Sequence, residues 1–250
     1  MKLLTWNING LRAGFDCFFD YIADAGADII ALQETRVTEP LPDLDGLGYS
    51  IAWNIAEKQG YAGTAILYKL PPLGIKYGLG AKKIDKNARV ITLEYQDYYV
   101  VNVYVPNSQT DLDKRYFRLD FDKAFLEYID KLRYLKSLII CGDFNVAHDY
   151  LDIFPENTRN PEEEYGYRSE ERHTFDELLN FGLVDVFRAM NPTERAYTWW
   201  SQKHPRSENK GRRLDYFLVS DNLISNVQYC KIRPDVPGSD HAPVEMGIEL

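Results

Sequence analysis

The sequence has few of the residues and motifs that mark disulfide-rich, zinc-binding or membrane proteins. Its three cysteines, Cys17, Cys141 and Cys230, are odd in number and far apart. Cys141 lies inside an apolar run, which favours a buried, inert thiol over a ligand or a nucleophile. No CxxC, HExxH or GxxxxGK[ST] motif occurs, so zinc-finger, zincin and P-loop assignments find no support. No apolar run approaches the roughly 20 residues that cross a bilayer.

Targeting segments and linkers are also lacking. Strand-like residues follow Met1-Lys2 directly, which leaves no room for a signal peptide. No shift in composition marks a domain boundary, and 45% hydrophobic residues are enough for a sizeable core. We therefore expect a single catalytic domain over residues 1–250. We also expect a soluble, monomeric, cytoplasmic protein that is not secreted and has no membrane partner.

Positive charge is scarce, since the formal net charge is −9. This balance argues against a nucleic-acid partner, because phosphate binding usually depends on lysine and arginine. Net charge, however, describes solubility and steering better than it describes one face of a protein. Cationic residues cluster in segments 82–89, 114–118 and 202–213, and each cluster alone is best explained as a solvated loop. Because all three flank candidate site motifs, together they predict a discontinuous phosphate-binding rim.

Short apolar runs bounded by turn residues predict strands at 3–8, 29–32, 61–68, 90–95, 99–104, 138–141, 214–220 and 244–249. Helical periodicity predicts helices at 15–24, 118–136 and 173–181. Many strands with few helices indicate an α/β protein with two sheets packed face to face and helices outside.

Polar side chains recur where these apolar runs end. Asn7, Glu34, Asn107, Asp143 and Asp240 all follow or closely flank such runs. Strand ends of a rigid sheet can direct side chains into one cleft. Hard oxygen donors that converge with one histidine suit a divalent ion and a phosphate ester. The pattern therefore predicts a nuclease-like site.

The Leu32-Gln33-Glu34-Thr35 segment offers a candidate magnesium ligand, Glu34. Mg²⁺ is usually held by one or two carboxylates together with water and substrate oxygens. Asn7 could add an amide oxygen to the same ion or orient a water on it. The structural alternatives are a capping role for Glu34 and an Asx turn at Asn7.

The Gly142-Asp143-Phe144-Asn145 segment offers an acid beside an amide. In an extended conformation Asp143 and Asn145 share one face while Phe144 points into the core. The acid could then take a proton from water while the amide holds that water or the phosphate. A plain Asp-Asn turn explains the same four residues equally well.

Neutral donors and one histidine complete the candidate set. Tyr104 and Asn107 could hold a phosphate oxygen, although a core tyrosine before a proline turn is the simpler explanation. His241 follows Asp240, and an imidazolium held by the distant Asp215 could stabilise charge on a five-coordinate phosphorus. A histidine next to Ala-Pro is otherwise more often structural.

Eight stretches of the chain, taken in order, resemble the exonuclease III family of apurinic/apyrimidinic endonucleases, within the endonuclease/exonuclease/phosphatase superfamily. They are WNINGLRA (6–13), LQET (32–35), GYAGTA (60–65), YVPN (104–107), GDFNVAH (142–148), YTWW (197–200), RLDY (213–216) and GSDHAP (238–243). Each stretch alone is weak, and the ordered set is specific.

The resemblance implies a deoxyribonuclease I-like fold, a four-layered α/β sandwich of two packed mixed β-sheets flanked by helices. It implies Mg²⁺-dependent hydrolysis, with Mn²⁺ as a substitute, of duplex DNA 5′ to abasic sites, leaving a 3′-hydroxyl. Trimming of blocked 3′ ends by 3′–5′ exonuclease activity is expected with it. A general deoxyribonuclease, a phospholipid or inositol-phosphate phosphatase, and a non-enzymatic DNA-binding module are the rival functions.

The resemblance also implies roles for individual residues. The implied metal set is Asn7, Glu34, Asp143, Asn145, Asp240 and His241. The implied catalytic set is Tyr104, Asp143, Asn145, Asp215, Asp240 and His241. The implied substrate-binding set is Asn107, Trp199, Leu214, Lys203 and Arg212, with Trp199 and Leu214 as walls of a pocket for a flipped-out sugar.

Three positions depart from the family pattern. Asn9 stands where some members carry aspartate, which weakens a second metal site. Lys203 stands where some members insert an apolar side chain into the duplex, and Arg212 replaces a tryptophan of the pocket rim. The residues that enter the DNA are therefore not assigned by the resemblance.

Overall fold

Two six-stranded β-sheets form the centre of the molecule. The computed structural model describes residues 1–109, 111–155, 160 and 164–250. The strand order is β11-β12-β1-β2-β4-β3 in the first sheet and β5-β6-β7-β8-β10-β9 in the second. The strands are β1 Lys2–Asn7, β2 Ile29–Gln33, β3 Ser50–Asn54, β4 Thr64–Tyr68, β5 Gly74–Tyr77, β6 Val90–Glu94, β7 Tyr98–Tyr104, β8 Ser137–Asp143, β9 Leu183–Asp185, β10 Asp215–Ser220, β11 Val227–Ile232 and β12 Val244–Ile248.

Helices lie in the connections between strands. The α-helices are α1 Phe15–Ala25, α2 Lys82–Asp85, α3 Leu112–Arg133, α4 Ser169–Asn180 and α5 Val186–Met190. Short 3₁₀ helices cover Pro42–Leu47, Tyr150–Asp152, Arg206–Glu208 and Asp221–Asn226. Among the described residues, no helix combines the length and the apolar character that a membrane span requires.

Each sheet contains one parallel pair at its centre. β1 pairs in parallel with β2 through α1, and β7 pairs in parallel with β8 through α3. β12 lies antiparallel on the other side of β1, and β10 lies antiparallel to β8. Within each sheet, the two parallel strands therefore have their carboxyl ends at the same end of the sheet. Polar residues follow or form these strand ends.

Side chains alternate between two sides of each sheet, so three apolar layers form. Leu3, Ile29, Val100 and Ile139 pack between the two sheets. Leu4 and Trp6 face the other side of the first sheet, where α1 contributes Phe18 and Ile22. α3 and α4 cover the outer side of the second sheet in the same way. The predicted four-layered sandwich of two mixed sheets with outer helices is confirmed.

A polar bridge joins the sheets within this core. Gln33 Nε2 donates to Asn102 Oδ1 at 2.7 Å, and Asn102 Nδ2 donates to the carbonyl oxygens of Leu32 and Ala65 at 3.0 Å. Both side chains are fully buried. Buried amides with several hydrogen bonds fix relative position better than apolar packing does. The bridge therefore sets the position of the β2 end relative to β7.

Most predicted elements are present, with differences at their ends. α3 begins at Leu112 and not at 118, because its first turns are polar and two of their apolar side chains, Leu112 and Tyr116, are exposed. Residues 61–63 precede β4 as a turn, with left-handed φ at Ala62 and Gly63.

Four strands, β3, β5, β9 and β11, were not predicted. All four lie at sheet edges and are short or half-exposed, so they lack a buried apolar run. Pro161, Glu162 and Glu163, which form part of a long connection in the sequence, lie outside the described residues.

Candidate active site

The predicted polar residues meet at the end of the sandwich where the central strands of both sheets finish. Asn7 ends β1, and Glu34 directly follows β2. Tyr104 ends β7 opposite Asp143, the last residue of β8. Asp143 is in turn paired with Asp215, the first residue of β10. The registers align the site residues within each sheet, and the packing of the two sheets face to face brings both halves of the site together.

Sharp turns direct these side chains into the cleft. The non-glycine residues Asn9, Glu34, Arg36 and Asn145 all have left-handed φ values between 48° and 52°. Such conformations are unfavourable for most L-residues and persist where the surrounding structure enforces them. These four residues lie together at the end of the molecule that carries the candidate site, so the strained backbone there positions site side chains.

The turn at Asp143 differs from our expectation of an extended chain. The backbone N–H of Asn145 donates to Asp143 Oδ1 at 2.8 Å, which forms an Asx turn. Phe144 is buried, as predicted, and the Asn145 side chain still lies beside the acid, with Nδ2 3.1 Å from Asp143 Oδ2. The competing Asp-Asn turn is thus present and brings the two polar groups together.

Asn7 connects the two carboxylates of the floor. Its Nδ2 donates to Asp143 Oδ2 at 2.8 Å and to Glu34 Oε1 at 3.3 Å. Its amide oxygen, which we considered as a metal ligand, accepts instead from the backbone N–H of Asn9 at 3.0 Å. Asn7 therefore holds Glu34 and Asp143 at a fixed separation.

Glu34 is held by different partners on its two oxygens. Oε1 accepts from Asn7 and from the Tyr104 hydroxyl, and Oε2 accepts from Arg36 Nη2 at 2.5 Å and Nε at 3.1 Å. Burial alone would raise the pKa of Glu34, but the hydrogen bonds from Tyr104 and Arg36 outweigh it and lower the pKa. Glu34 is therefore ionised at neutral pH.

His241 is sandwiched between two aspartates. Its Nδ1 lies 2.8 Å from Asp215 Oδ2, and its Nε2 lies 3.9 Å from Asp143 Oδ2. Burial would lower the pKa of this imidazole, but the charges of Asp215 and Asp143 raise it from 6.5 to about 10. These charges favour the protonated ring, whose two N–H groups are donors that suit phosphate stabilisation. The role of His241 as a metal ligand stays a prediction.

Asp143 is nearly inaccessible to solvent and has a shifted titration. Burial raises its pKa to about 7, with His241 acting in the opposite direction and Asp215 reinforcing the rise. A carboxyl group that titrates near neutrality can accept and release a proton at cellular pH.

The donor set fits a hard divalent cation. Asp143, Asp215 and His241 have ligand atoms within 4.8 Å of one another, and the buried Asp215 Oδ1 has no partner among the described residues. An orphaned carboxylate oxygen in a cluster of acids indicates that a cation or water completes the site. Glu34, Asp143 and Asp240 line the cleft that contains this cluster and are the carboxylates that would hold the ion.

Asp240 lines the cleft that contains Asp143 and His241. Its Oδ1 accepts from Asn9 Nδ2 at 2.9 Å, and its Oδ2 accepts from Trp199 Nε1 at 3.0 Å. The asparagine that departs from the family pattern thus orients Asp240. Trp199 is fixed by its own hydrogen bond to Oδ2 of this carboxylate. Asp240, a candidate metal ligand, therefore also positions Trp199, a candidate wall of the pocket.

These residues open into a cleft of about 470 Å³. It is lined by Asn9, Glu34, Arg36, Asn107, Gln109, Asp143, Asn145, Tyr165, Gly166, Trp199, Arg212, Leu214, Asp240 and His241. A second cavity of about 490 Å³ adjoins it and shares Glu34, Arg36, Asn107 and Gln109. The first cavity has apolar walls beside the acids, and the second extends over Tyr104.

Most arginines of the predicted phosphate-binding rim serve the fold, whereas most of its lysines are exposed and their role stays a prediction. Arg213 is fully buried between Asp152 and Asp185, and Arg118 is buried against Asp122. Arg206 donates to four backbone carbonyl oxygens of the 234–241 segment. Sequence clustering did not reveal these partners, since all but Asp122 are distant in the chain.

Two predicted substrate-binding cations have unequal positions. Arg212 lines the cleft, but its Nη2 pairs with Glu164 and its Nη1 donates to the Tyr165 carbonyl oxygen at 2.5 Å. It is therefore a wall residue and not a free phosphate ligand. Lys203 is exposed and is absent from the lining of the cleft.

Several residues that shape the site were not predicted. Arg36 holds Glu34, and Thr198 Oγ1 accepts from the backbone N–H groups of Leu214 and Asp215 at 2.9 and 3.1 Å. Arg89 lies under the Tyr104 ring, with its guanidinium carbon 4.4 Å from the ring centroid. The sequence around these residues does not indicate the contacts, except that Arg36 lies two positions after Glu34.

Comparisons with known proteins agree with this geometry. Residues 4–241 match the model of the Endonuclease/Exonuclease/phosphatase family. The chain is 42% identical to the exodeoxyribonuclease of Bacillus subtilis over the full length of both. It is 38% identical to the DNA repair nuclease APEX1 of Danio rerio, covering 98% of this chain and 81% of that protein. The structure of the 3′ phosphatase NExo from Neisseria bound to a product DNA hairpin superimposes with a TM-score of 0.92, at 28% identity and full coverage of both chains.

Proposed function

Since the chain belongs to the endonuclease/exonuclease/phosphatase family and is a hydrolytic nuclease of the exonuclease III type, we propose that it incises duplex DNA 5′ to abasic sites. The cut leaves a 3′-hydroxyl, requires Mg²⁺ or Mn²⁺, and is accompanied by trimming of blocked 3′ ends. The enzyme acts as a monomer on chromosomal DNA inside the cell. The observation that carries this proposal is the hydrogen-bonded chain Glu34–Asn7–Asp143, adjoined by the His241–Asp215 pair, on the floor of one cleft.

Asp143 is the proton acceptor of the proposed reaction. It takes a proton from a water whose oxygen attacks the phosphorus, while the bond from phosphorus to the 3′ oxygen breaks. The proton then passes to that departing oxygen, which leaves as a hydroxyl. A pKa of about 7 suits both transfers. Asn145, beside the carboxylate, orients the water.

His241, Tyr104 and Asn107 hold the phosphate. The imidazolium of His241 faces the cleft with Asp215 behind it, so its charge opposes the negative charge that accumulates on the phosphoryl oxygens. Burial and the nearby Glu34 raise the pKa of Tyr104 well above 10, which keeps the phenol protonated. Its single proton, which is donated to Glu34 Oε1 in the structure, turns to a phosphate oxygen when the DNA binds. Asn107 supplies a neutral donor on the opposite wall.

Glu34 and Asp240 would hold the divalent ion, with Asn7 fixing the direction of the Glu34 carboxylate. When bound, such an ion supplies a positive charge against the phosphate oxygens and lowers the pKa of bound water. The carboxylates and carboxamides around the cleft are hard oxygen ligands, which Mg²⁺ and Mn²⁺ prefer.

The apolar wall beside the acids would select the abasic sugar. Trp199 and Leu214 face the cleft next to Asn145 and His241, and Arg212 stacks 5.6 Å from the Trp199 ring centroid. A sugar without a base is easier to extrude from the duplex and enters a smaller pocket than a complete nucleotide does. These walls favour abasic incision over the rival deoxyribonuclease and phosphatase functions.

One gel experiment tests the proposal. The purified chain is incubated with an abasic duplex, a nicked duplex with a blocked 3′ end, and an undamaged duplex, each with Mg²⁺ or with EDTA. We expect Mg²⁺-dependent cutting of the first, trimming of the second and little reaction of the third. Equal cutting of abasic and undamaged duplex would indicate a general deoxyribonuclease, and no cutting of any duplex would refute nuclease activity on DNA.

A further inference from the structure

Arg36 occupies the side of Glu34 that faces the cleft. Its Nη2 and Nε lie 2.5 and 3.1 Å from Glu34 Oε2, and no other described residue donates to that oxygen. Glu34 Oε1 is already engaged by Tyr104 and Asn7. A cation that binds Glu34 from the cleft therefore meets a guanidinium already in place.

The backbone of Glu34 and Arg36 is held by hydrogen bonds, whereas the Arg36 side chain is partly exposed to solvent. The Arg36 N–H donates to the Ala62 carbonyl oxygen at 2.9 Å, and the Glu34 carbonyl oxygen accepts from the Gly10 N–H at 2.8 Å. The Glu34 side chain is 16% exposed, but the Arg36 side chain is 44% exposed. The carboxylate is thus held in position while the guanidinium can leave it by rotating its own side chain.

Arg36 has access to both halves of the cleft. It lines the cavity that contains Asp143 and His241 and also the adjoining cavity over Tyr104. The other arginine of the first cavity is committed, because Arg212 pairs with Glu164. A guanidinium released from Glu34 would therefore be a free cation where a phosphate backbone has to pass.

On the basis of the proposed nuclease function, we propose that Arg36 is an exchangeable counter-ion. It neutralises Glu34 while no divalent ion is bound, and it moves to a phosphate of the DNA backbone when a divalent ion takes its place. The Arg36 guanidinium and the divalent ion compete for Glu34 Oε2, because the guanidinium occupies the space that a metal ion needs. Metal binding and DNA binding are consequently linked through one side chain, and the linkage acts equally in both directions.

The metal half of the exchange is tested without DNA. Mn²⁺ binding to the intact protein is measured by electron paramagnetic resonance for the unmodified chain, Arg36→Met, Arg36→Lys and Arg133→Met. Arg133 is a matched control, because it pairs with Asp130 on α3 and lies outside both cavities. We expect Arg36→Met to bind Mn²⁺ roughly three- to tenfold tighter, as expected from loss of a competing ion pair.

Arg36→Lys should fall between the unmodified chain and Arg36→Met, and Arg133→Met should change nothing. Weaker or unchanged Mn²⁺ binding by Arg36→Met would overturn the proposal, because Arg36 would then support the ion or be independent of it. Thermal melting in EDTA shows that each variant is folded.

The DNA half is measured with chains that carry Asp143→Asn, so that the duplex stays intact. With Mg²⁺, adding Arg36→Met should weaken binding of an abasic duplex roughly three- to tenfold and make the salt slope about one unit shallower. In EDTA the same change should have less than about a twofold effect, since Arg36 is then held by Glu34. Equal losses with Mg²⁺ and with EDTA would contradict the exchange. Neither half needs DNA cleavage, so failure of the proposed function would be seen separately in the incision assay.

Discussion

The buried acids of the cleft are held in different protonation states by their neighbours. Glu34 receives hydrogen bonds from Tyr104, Asn7 and Arg36, which favour the ionised form. Asp143 receives fewer donors and is fully enclosed, so its pKa rises to about 7. Acids with separated pKa values can perform separate tasks at one pH. This separation supports the proposed division between a metal ligand and a proton acceptor.

The Asp143→Asn variant should lose incision and keep DNA binding. The amide has nearly the same shape, and its oxygen can still accept from the side chains of Asn7 and Asn145. Its NH2 group then meets the Asn145 backbone N–H, so one bond is lost, and the amide cannot accept a proton from water. We expect a fall in rate of at least about 100-fold, the lower end for loss of a general base. Single-turnover incision and a gel-shift assay measure the two properties. A rate near that of the unmodified chain would show that another group accepts the proton.

The His241–Asp215 pair predicts how stability depends on pH. The pKa of His241 rises from 6.5 in the unfolded chain to about 10 in the fold. Between these values the folded state binds one more proton, so its stability is complete below 6.5 and falls as the pH rises through this window. For one proton the slope approaches about 1.4 kcal/mol per pH unit.

Urea unfolding in EDTA at several pH values measures this slope, and His241→Gln should lack it. The raised pKa of Asp143 acts in a lower window, between 3.8 and about 7, so the two groups can be distinguished. An identical pH profile for both proteins would show that the imidazole is not charged by its partners.

At the level of elements, the sheets are positioned by hydrogen bonds as well as by apolar packing. Asn102 on β7 bonds Gln33 on β2 and two carbonyl oxygens of the first sheet. Asn102→Ala would remove these three buried hydrogen bonds and leave a cavity between the sheets, although Gln33 Nε2 would keep Thr5 Oγ1 and the Ala31 carbonyl oxygen as acceptors. We expect the free energy of unfolding to fall by about 2–4 kcal/mol, whereas Asn180→Ala, at the exposed end of α4, should change it by less than about 0.5 kcal/mol. Chemical denaturation compares the two, and equal effects would show that the bridge adds nothing to stability.

Gly142 makes the closest approach between strands beneath the site. Its φ is +143°, and a Cβ at this position would collide with the Val103 carbonyl oxygen on β7. Gly142→Ala must therefore separate β7 from β8 directly below Asp143. We expect a loss of at least about 3 kcal/mol in stability or no soluble protein. Gly46→Ala, where a Cβ meets nothing within 4 Å, is the control. A normal melting temperature for Gly142→Ala would contradict the packing described.

The sequence predicted central elements better than peripheral ones, for a physical reason. β1, β2, β7, β8 and β10 have continuous apolar runs because both of their faces are buried. In edge strands such as β5 and β11, buried and exposed side chains alternate too weakly for the sequence to distinguish the strand from a loop. The convergence of Glu34, Asp143 and His241 followed from their positions at strand ends. The role of Arg36 and the structural use of Arg213 did not, because their partners depend on side-chain contacts that no local pattern encodes.

At the scale of the whole molecule, the acidic charge and the committed arginines limit electrostatic attraction to DNA. The net charge is −9, and the arginines at 118, 206 and 213 are bound within the fold. These three arginines are therefore not available to displace counter-ions from the phosphate backbone. The divalent ion and Arg36 would therefore provide much of the positive charge that the substrate meets.

DNA binding should accordingly depend weakly on salt. We expect a slope of about −2 to −4 in a plot of log affinity against log salt concentration, equivalent to two to four phosphate contacts. The Asp143→Asn protein with Mg²⁺ and an abasic duplex is suited to this titration. A slope steeper than about −6 would reveal a basic surface that the described arginines do not account for.

The pairing of β1 with β12 has a consequence for biosynthesis. The N-terminal amine of Met1 donates to the carbonyl oxygen of Ile248 across a separation of 247 residues, and β12 completes the first sheet beside β1. Asn7 and Glu34 leave the ribosome early, whereas Asp240 and His241 follow only just ahead of that closing strand. Pairing of strands that are distant in sequence is slow, and β12 is synthesised long after β1. A nascent chain would thus carry one half of the nuclease for most of its synthesis, and cutting would become possible only when the final strand arrives.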